Sequence, residues 1–152
     1  YEVVAPGFKY NMTDPAAAMG LVQLGKAQRL QARRQLLADR YAEALADLPL
    51  VMPPRPPRGD THSWHLFVVR LADDSPVGRD QAIEQLFAAG IGCSVHYVPL
   101  HLQPCFAHLG YRRGSLPVTE AAMDGVLSLP IYPELSDAQQ DAVVRGIAEF
   151  AA

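Results

Sequence analysis

The apolar positions of this chain recur with two periods. Between Thr13 and Leu48 they return every three or four residues. Met19 and Val22 share a face with Lys26, and Leu30, Leu37, Tyr41, Leu45 and Leu48 carry the stripe onward. That spacing predicts one long helix over 13–48, capped by Thr13 or Asp14, with Pro15 in its first turn where a missing N–H costs nothing. Gly20 and Gly25 each cost about 1 kcal/mol against alanine inside a helix, which implies a close contact or a bend there. Arg29, Arg33, Arg34 and Arg40, interspersed with Asp39 and Glu43, read as a solvated face of the same helix.

The period then changes. Over Thr61–Leu71, Trp64, Leu66 and Val68 alternate with His65, Phe67 and Val69, so both faces are apolar and the pattern predicts a central strand. A helix over Arg79–Ala89 presents Ile83, Leu86 and Phe87 on one side, and Gly90 stands where a left-handed residue stops it. A strand follows at once: Ile91, Cys93 and Val95 face one way, Gly92, Ser94 and His96 the other, and Pro99 ends the pairing. His96 is thereby the last polar group before the chain leaves the sheet. Leu102–Leu109 suggests a short helix and Leu116-Pro117 opens another carrying Glu120, Met123 and Val126. Leu127–Ile131 is an apolar run between breakers, a strand, and Ser136 with Gln139 forms a capping box for a helix burying Val143, Ile147 and Phe150. The pattern is α/β in class, with the character of a small α+β domain: a long N-terminal helix followed by a small mixed sheet packed by helices.

Composition narrows the function. At 152 residues, with 49% hydrophobic and 19% charged positions, the chain can bury a core of its own. A formal net charge of −3 with no basic stripe gives no general attraction to nucleic acid or to an anionic membrane surface. No apolar run is long enough to span a bilayer. Cys93 and Cys105 do not make a disulfide framework, so the cytoplasm is the expected compartment. The opening residues carry neither an initiator methionine nor a signal, and they suggest a piece of a longer polypeptide.

The histidines and cysteines do not form a metal set. Cys93 and His96, three apart on a strand, point to opposite faces, and no Cys-x-x-Cys anchors them. A cysteine–histidine nucleophile lacks an orienting third group. His65, inside the predicted central strand, is expected to be a hydrogen-bonded core histidine, and His101 and His108 are expected on the surface or in loops.

Several segments together resemble a known family. Gly7-Phe8-Lys9-Tyr10-Asn11-Met12-Thr13-Asp14 with Gly20-Leu21-Val22-Gln23-Leu24, then His62–Phe67, then Gly90-Ile91-Gly92 with His96–His101, then Leu127–Pro133, are similar, in this order, to segments of the PLP-dependent sugar-nucleotide aminotransferases of fold type I. The resemblance covers essentially the whole chain and implies the C-terminal part of such an enzyme. It divides into a loop over 1–12 that reaches toward a dimer partner, a long connecting helix over 13–48, and a small domain over 49–152. It implies pyridoxal 5'-phosphate as cofactor, a homodimer, and a glutamate amino group transferred to a keto sugar nucleotide. Where the commoner loop of the family reads G-Y-N-Y-R-M-T-D, Lys9 and Asn11 stand for its asparagine and arginine. That form is similar to the branch that aminates UDP-L-Ara4O, making the aminoarabinose of modified lipid A. By the same resemblance Lys9 or Asn11 contacts the cofactor phosphate of the partner subunit, and His96 and Tyr10 contact substrate. The family's cofactor-holding lysine matches neither Lys9 nor Lys26, the two lysines present, so no residue here is assigned to catalysis. A PLP-dependent sugar dehydratase of the same family and a non-catalytic dimerisation or regulatory module are the alternatives.

Overall fold

The computed structural model describes residue 2 and residues 4–151. Tyr1 and Val3, within the loop expected over 1–12, and Ala152, within the small domain expected over 49–152, lie outside the described residues. The long helix forms as its periodicity predicts, as α1 (Asp14–Ala44), with Pro15 in the first turn. Thr13 holds the extended cap position, but its side chain makes no capping hydrogen bond, so neither Thr13 nor Asp14 acts as the side-chain cap expected of them. Chain continuity into α1 rests instead on the backbone, the Ala17 N–H donating to Thr13 O at 2.9 Å.

Burial along α1 is confined to its second half, where Leu37, Ala38, Tyr41 and Leu45 just beyond it are at most 1% exposed. They pack with Phe67, Val69 and Leu71, with Leu86, with Leu127 and Leu129, and with Val143, Ile147 and Phe150 in one core. Burying one such leucine or phenylalanine contributes about 1.5–3 kcal/mol, which makes this cluster the main source of stability.

Three strands form an antiparallel sheet in the order β1 (Leu50–Val51), β2 (Phe67–Leu71) and β3 (Val126–Leu129). The class is the expected one, a long helix followed by a small sheet packed by helices, but every described strand pair is antiparallel where a mixed sheet is expected. Strand β1 lies between the long helix and the central strand, where the pattern predicts no strand, and it pairs Leu50 with Leu71. Strand β2 is central, yet shorter than the apolar alternation implies. Trp64 adopts φ +46°, in the left-handed region that a bulky residue rarely enters, and this ends the extended run before Phe67. Polar side chains of α1 hold the turn: Trp64 Nε1 donates to Gln35 Oε1 at 2.8 Å, Arg34 donates to Trp64 O at 3.0 Å, and Gln31 donates to His62 O at 3.1 Å. His65 is consequently exposed rather than a core histidine.

The arginine face also differs from expectation. Arg34 additionally donates to Ile131 O at 3.2 Å, Arg33 to Leu135 O at 2.6 Å, and Arg40 pairs with Asp137 and Asp141. Only tertiary neighbours 30 or more residues away could supply these acceptors, so helix periodicity alone misreads Arg33, Arg34 and Arg40 as solvated, while Arg29 is exposed as expected.

Helix α2 (Arg79–Ala88) ends as predicted on Gly90 at φ +76°, with Ile91 N–H donating to Leu86 O at 2.8 Å and Gly90 N–H to Phe87 O at 3.0 Å. Its buried face is Ala82 and Leu86, while Phe87 is 73% exposed. Short 3₁₀ turns over Leu100–Leu102 and Pro104–Leu109 replace the expected helix, and α3 (Pro117–Gly125) leads directly into β3. The capping box of α4 (Asp137–Ala151) is formed in both directions, Ser136 N–H to Gln139 Oε1 at 2.9 Å and Gln139 N–H to Ser136 Oγ at 3.2 Å. No described helix is long and apolar enough to cross a membrane.

Candidate functional site

The stretch after Gly90 alternates as expected, with Ile91 buried, Cys93 half-buried against the core, and Gly92 and Ser94 exposed. It does not form a full strand. A single antiparallel bridge ties it to β3, with Ser128 N–H donating to Ser94 O at 2.7 Å and Ser94 N–H to Ser128 O at 3.3 Å. Pairing stops there because the chain turns away through Pro99 into the 3₁₀ turns. Cys93 follows its environment, burial pushing its thiol above the usual value and keeping it protonated.

This one bridge aims His96. Two residues beyond Ser94, its side chain falls on the sheet face opposite Ile91 and Cys93. Its Nδ1 lies 2.7 Å from Ser128 Oγ, and its ring meets that of Tyr97 edge-on at 4.6 Å between centroids and 83° between planes. Ser128 faces Val68 across β3–β2, and Val68 lines a groove of about 680 Å³ that also takes in Pro54, Arg55, His62 and His65.

The chain beyond His96 is anchored by a buried carboxylate. Glu120, on α3, accepts from Gly114 N–H at 2.7 Å, from His101 Nε2 at 2.9 Å and from Leu116 N–H at 3.1 Å. These donors, the Gly114 amide foremost, lower its pKa to about 2. The carboxylate is therefore ionised and acceptor-only, which makes His101 Nε2 the donor of that pair. His101 is 8% exposed and not the surface residue expected. Together with Pro99, Leu100, Phe106, Tyr111 and Leu116 it lines an apolar pocket of about 430 Å³. Sequence patterning could not find the pair, because residues 19 apart meet only through the loop between them.

The other predicted site residues lie apart from His96. Lys9, Tyr10 and Asn11 are exposed on the irregular segment before α1, Tyr10 being 86% exposed, with its ring 5.8 Å from that of Phe8 and tilted 46° to it. Among the described residues no hydrogen bond, ion pair or ring contact joins any of the three to His96. Ser128, Glu120 and His101 are the neighbours of the site that sequence reasoning missed. The one available signal was Ser128 itself, a polar residue between two leucines in an apolar strand.

Comparison with known proteins gives this geometry its context. The model of the DegT/DnrJ/EryC1/StrS aminotransferase family matches residues 1–148. The chain belongs to that family. Protein MJ1066 of Methanocaldococcus jannaschii is 36% identical over 152 residues, covering 99% of this chain and 39% of that protein. Spr1654 from Streptococcus pneumoniae, a proposed sugar aminotransferase solved in its PMP form, superposes with a TM-score of 0.89 at 32% identity, over 99% of this chain and 38% of its own. PseC of Helicobacter pylori, an aminotransferase involved in the biosynthesis of pseudoaminic acid, gives a TM-score of 0.85 at 25% identity, over 99% of this chain and 40% of its own. The chain thus spans about two fifths of the length of the relatives it matches. The high TM-scores show that the fold is common to these chains at modest identity.

Proposed function

We propose that the protein carrying this chain is a pyridoxal 5'-phosphate-dependent aminotransferase that moves an amino group from glutamate to a keto sugar nucleotide. The observation that carries this reading is the family match over residues 1–148, joined to a histidine held at the sheet edge by a buried serine. The amino acceptor is a nucleotide-linked 4-keto pentose of the UDP-L-Ara4O type, whose product is the aminoarabinose of modified lipid A. The Lys9 and Asn11 form of the N-terminal loop supports this choice.

The division of labour follows the chain order. Residues 1–12 form a loop that reaches a partner subunit in a cytoplasmic homodimer, 13–48 a connecting helix, and 49–152 a small domain. The donor chemistry of the loop fits a phosphate: an ammonium on Lys9 and an amide N–H on Asn11, both exposed on an irregular segment that packs on none of the core residues. Bound there, the cofactor supplies an aldehyde that accepts and returns amino groups and a ring that withdraws electrons. Lys9, by charge, or Asn11, by an amide hydrogen bond, holds its phosphate, Tyr10 contacts the substrate, and His96 orients the sugar. Exposed apolar side chains on the first half of α1, Met19, Leu21, Val22 and Leu24, face the remainder of the molecule.

The test separates the two substrates. Replacing His96 with alanine in the intact protein is expected to slow amination of the keto sugar far more than amino donation by glutamate, both followed by cofactor absorbance. Equal losses on both sides remove His96 from the substrate pocket.

A further inference from the structure

We infer that Ser128 fixes the tautomer of His96, so that the ring offers an N–H, and not a lone pair, to the group it faces. Ser128 is 5% exposed, and its backbone N–H and C=O are both engaged with Ser94. Its hydroxyl has one partner among the described residues, His96 Nδ1 at 2.7 Å. A buried hydroxyl left undonated forfeits a hydrogen bond, and the imidazole nitrogen is the acceptor within reach. With the serine proton given to Nδ1, the neutral ring must carry its own proton on Nε2. Ser128 sets the protonation pattern of the ring, and the edge-on contact with Tyr97 adds to its orientation.

The consequence is a specificity rule for the site proposed above, on which this inference rests. His96 recognises an acceptor oxygen, whether keto, hydroxyl or phosphate, and rejects a group that can only donate. An ammonium placed there meets an N–H instead of a lone pair. Ser128 is a positioning residue, since it acts only through the ring of His96.

Histidine labelled with ¹⁵N in the intact protein reports the tautomer directly from the ring nitrogen signals. His96 is identified by the signal lost in His96→Gln. The wild-type ring is expected to be in the Nε2–H form at neutral pH without ligand. Ser128→Ala is expected to shift it to a mixture and to weaken keto-sugar binding roughly three- to tenfold, the worth of one hydrogen bond, a larger loss than in glutamate turnover. Ser128→Thr keeps the hydroxyl and is expected to restore both readouts. An Nδ1–H ring in the wild type, or a ring signal unmoved by Ser128→Ala, overturns the inference. A ring that responds as described while neither Ser128→Ala nor His96→Gln alters sugar binding upholds the tautomer assignment and refutes the substrate role of His96.

Discussion

The two halves of α1 differ far more in what they touch than in what they are made of. From Asp14 to Arg29 the helix is rich in alanine and leucine, and Met19, Leu21 and Leu24 are each about 70% exposed. From Leu30 to Ala44 the same kind of sequence buries Leu37, Ala38 and Tyr41. Arg33, Arg34 and Arg40 in this half reach carbonyls and carboxylates from three other parts of the chain, the 64–65 turn, the 131–135 loop and α4. Helix propensity therefore explains why α1 forms along its whole length, and tertiary contact explains why only one half is fastened. Isolated helical segments of this length are marginal in water, and the first half lacks the tertiary contacts that fasten the second.

The sharpest way to break this contrast is to remove a core side chain opposite the fastened half. Phe67→Ala leaves a cavity under Tyr41 and Trp64, whose rings lie 5.0 and 5.6 Å away. It is expected to cost about 3–5 kcal/mol in urea unfolding. Next comes Arg34→Met, which keeps the stem and orphans the carbonyls of Trp64 and Ile131. A loss of about 1–3 kcal/mol is expected, and a neutral result would return the arginine face to the solvent.

Glu120→Gln tests the anchor beyond His96 through pH. The folded carboxyl titrates at about 2, below its ordinary value of 4.5. Its contribution is therefore complete above 4.5 and drains away as pH falls toward 2. The urea midpoints of wild type and Glu120→Gln are expected to differ at pH 6 and to converge on acidification; a constant gap would mean that Glu120 does not titrate as its donors dictate. The smallest effect is predicted for Met19→Ala and Val22→Ala, within about 0.5 kcal/mol of neutral for unfolding of the 152-residue chain itself. Amide exchange sharpens the same point: positions 15–29 are expected to exchange faster than 34–44 in the chain alone and to slow in the intact protein. No slowing would mean that this half has no cover.

Much of the fold was legible because its signals are local. The three-and-four spacing marked α1, Gly90 marked the end of α2, and the Ser136–Gln139 box marked the start of α4, each an interaction within a turn or two of chain. The errors share the opposite property. His65 and His101 exchanged expected roles because the first is carried outward by the Trp64 turn, while the second is drawn inward by Glu120. Phe87 satisfied the helical stripe and still faces solvent, since Ala82 and Leu86 take the contact with the core. The candidate site was half readable: alternation placed Ser94 and His96 on one face, and Ser128 stood out as a polar residue between two leucines, but nothing local paired it with His96.

The sequence by itself determined where helices start and stop, which side of the 91–96 segment carries polar groups, and the motifs that mark the family. Those properties come from backbone geometry and from side chains a few residues apart. Only the tertiary structure decided that Arg33, Arg34 and Arg40 of α1 are docked, that Glu120 is buried and ionised, and that one serine on β3 holds His96. The arginine and serine contacts join groups 30 to 102 positions apart, and Glu120 adds His101, 19 positions away, to the nearer amides of Gly114 and Leu116; no local pattern encodes which distant group will arrive.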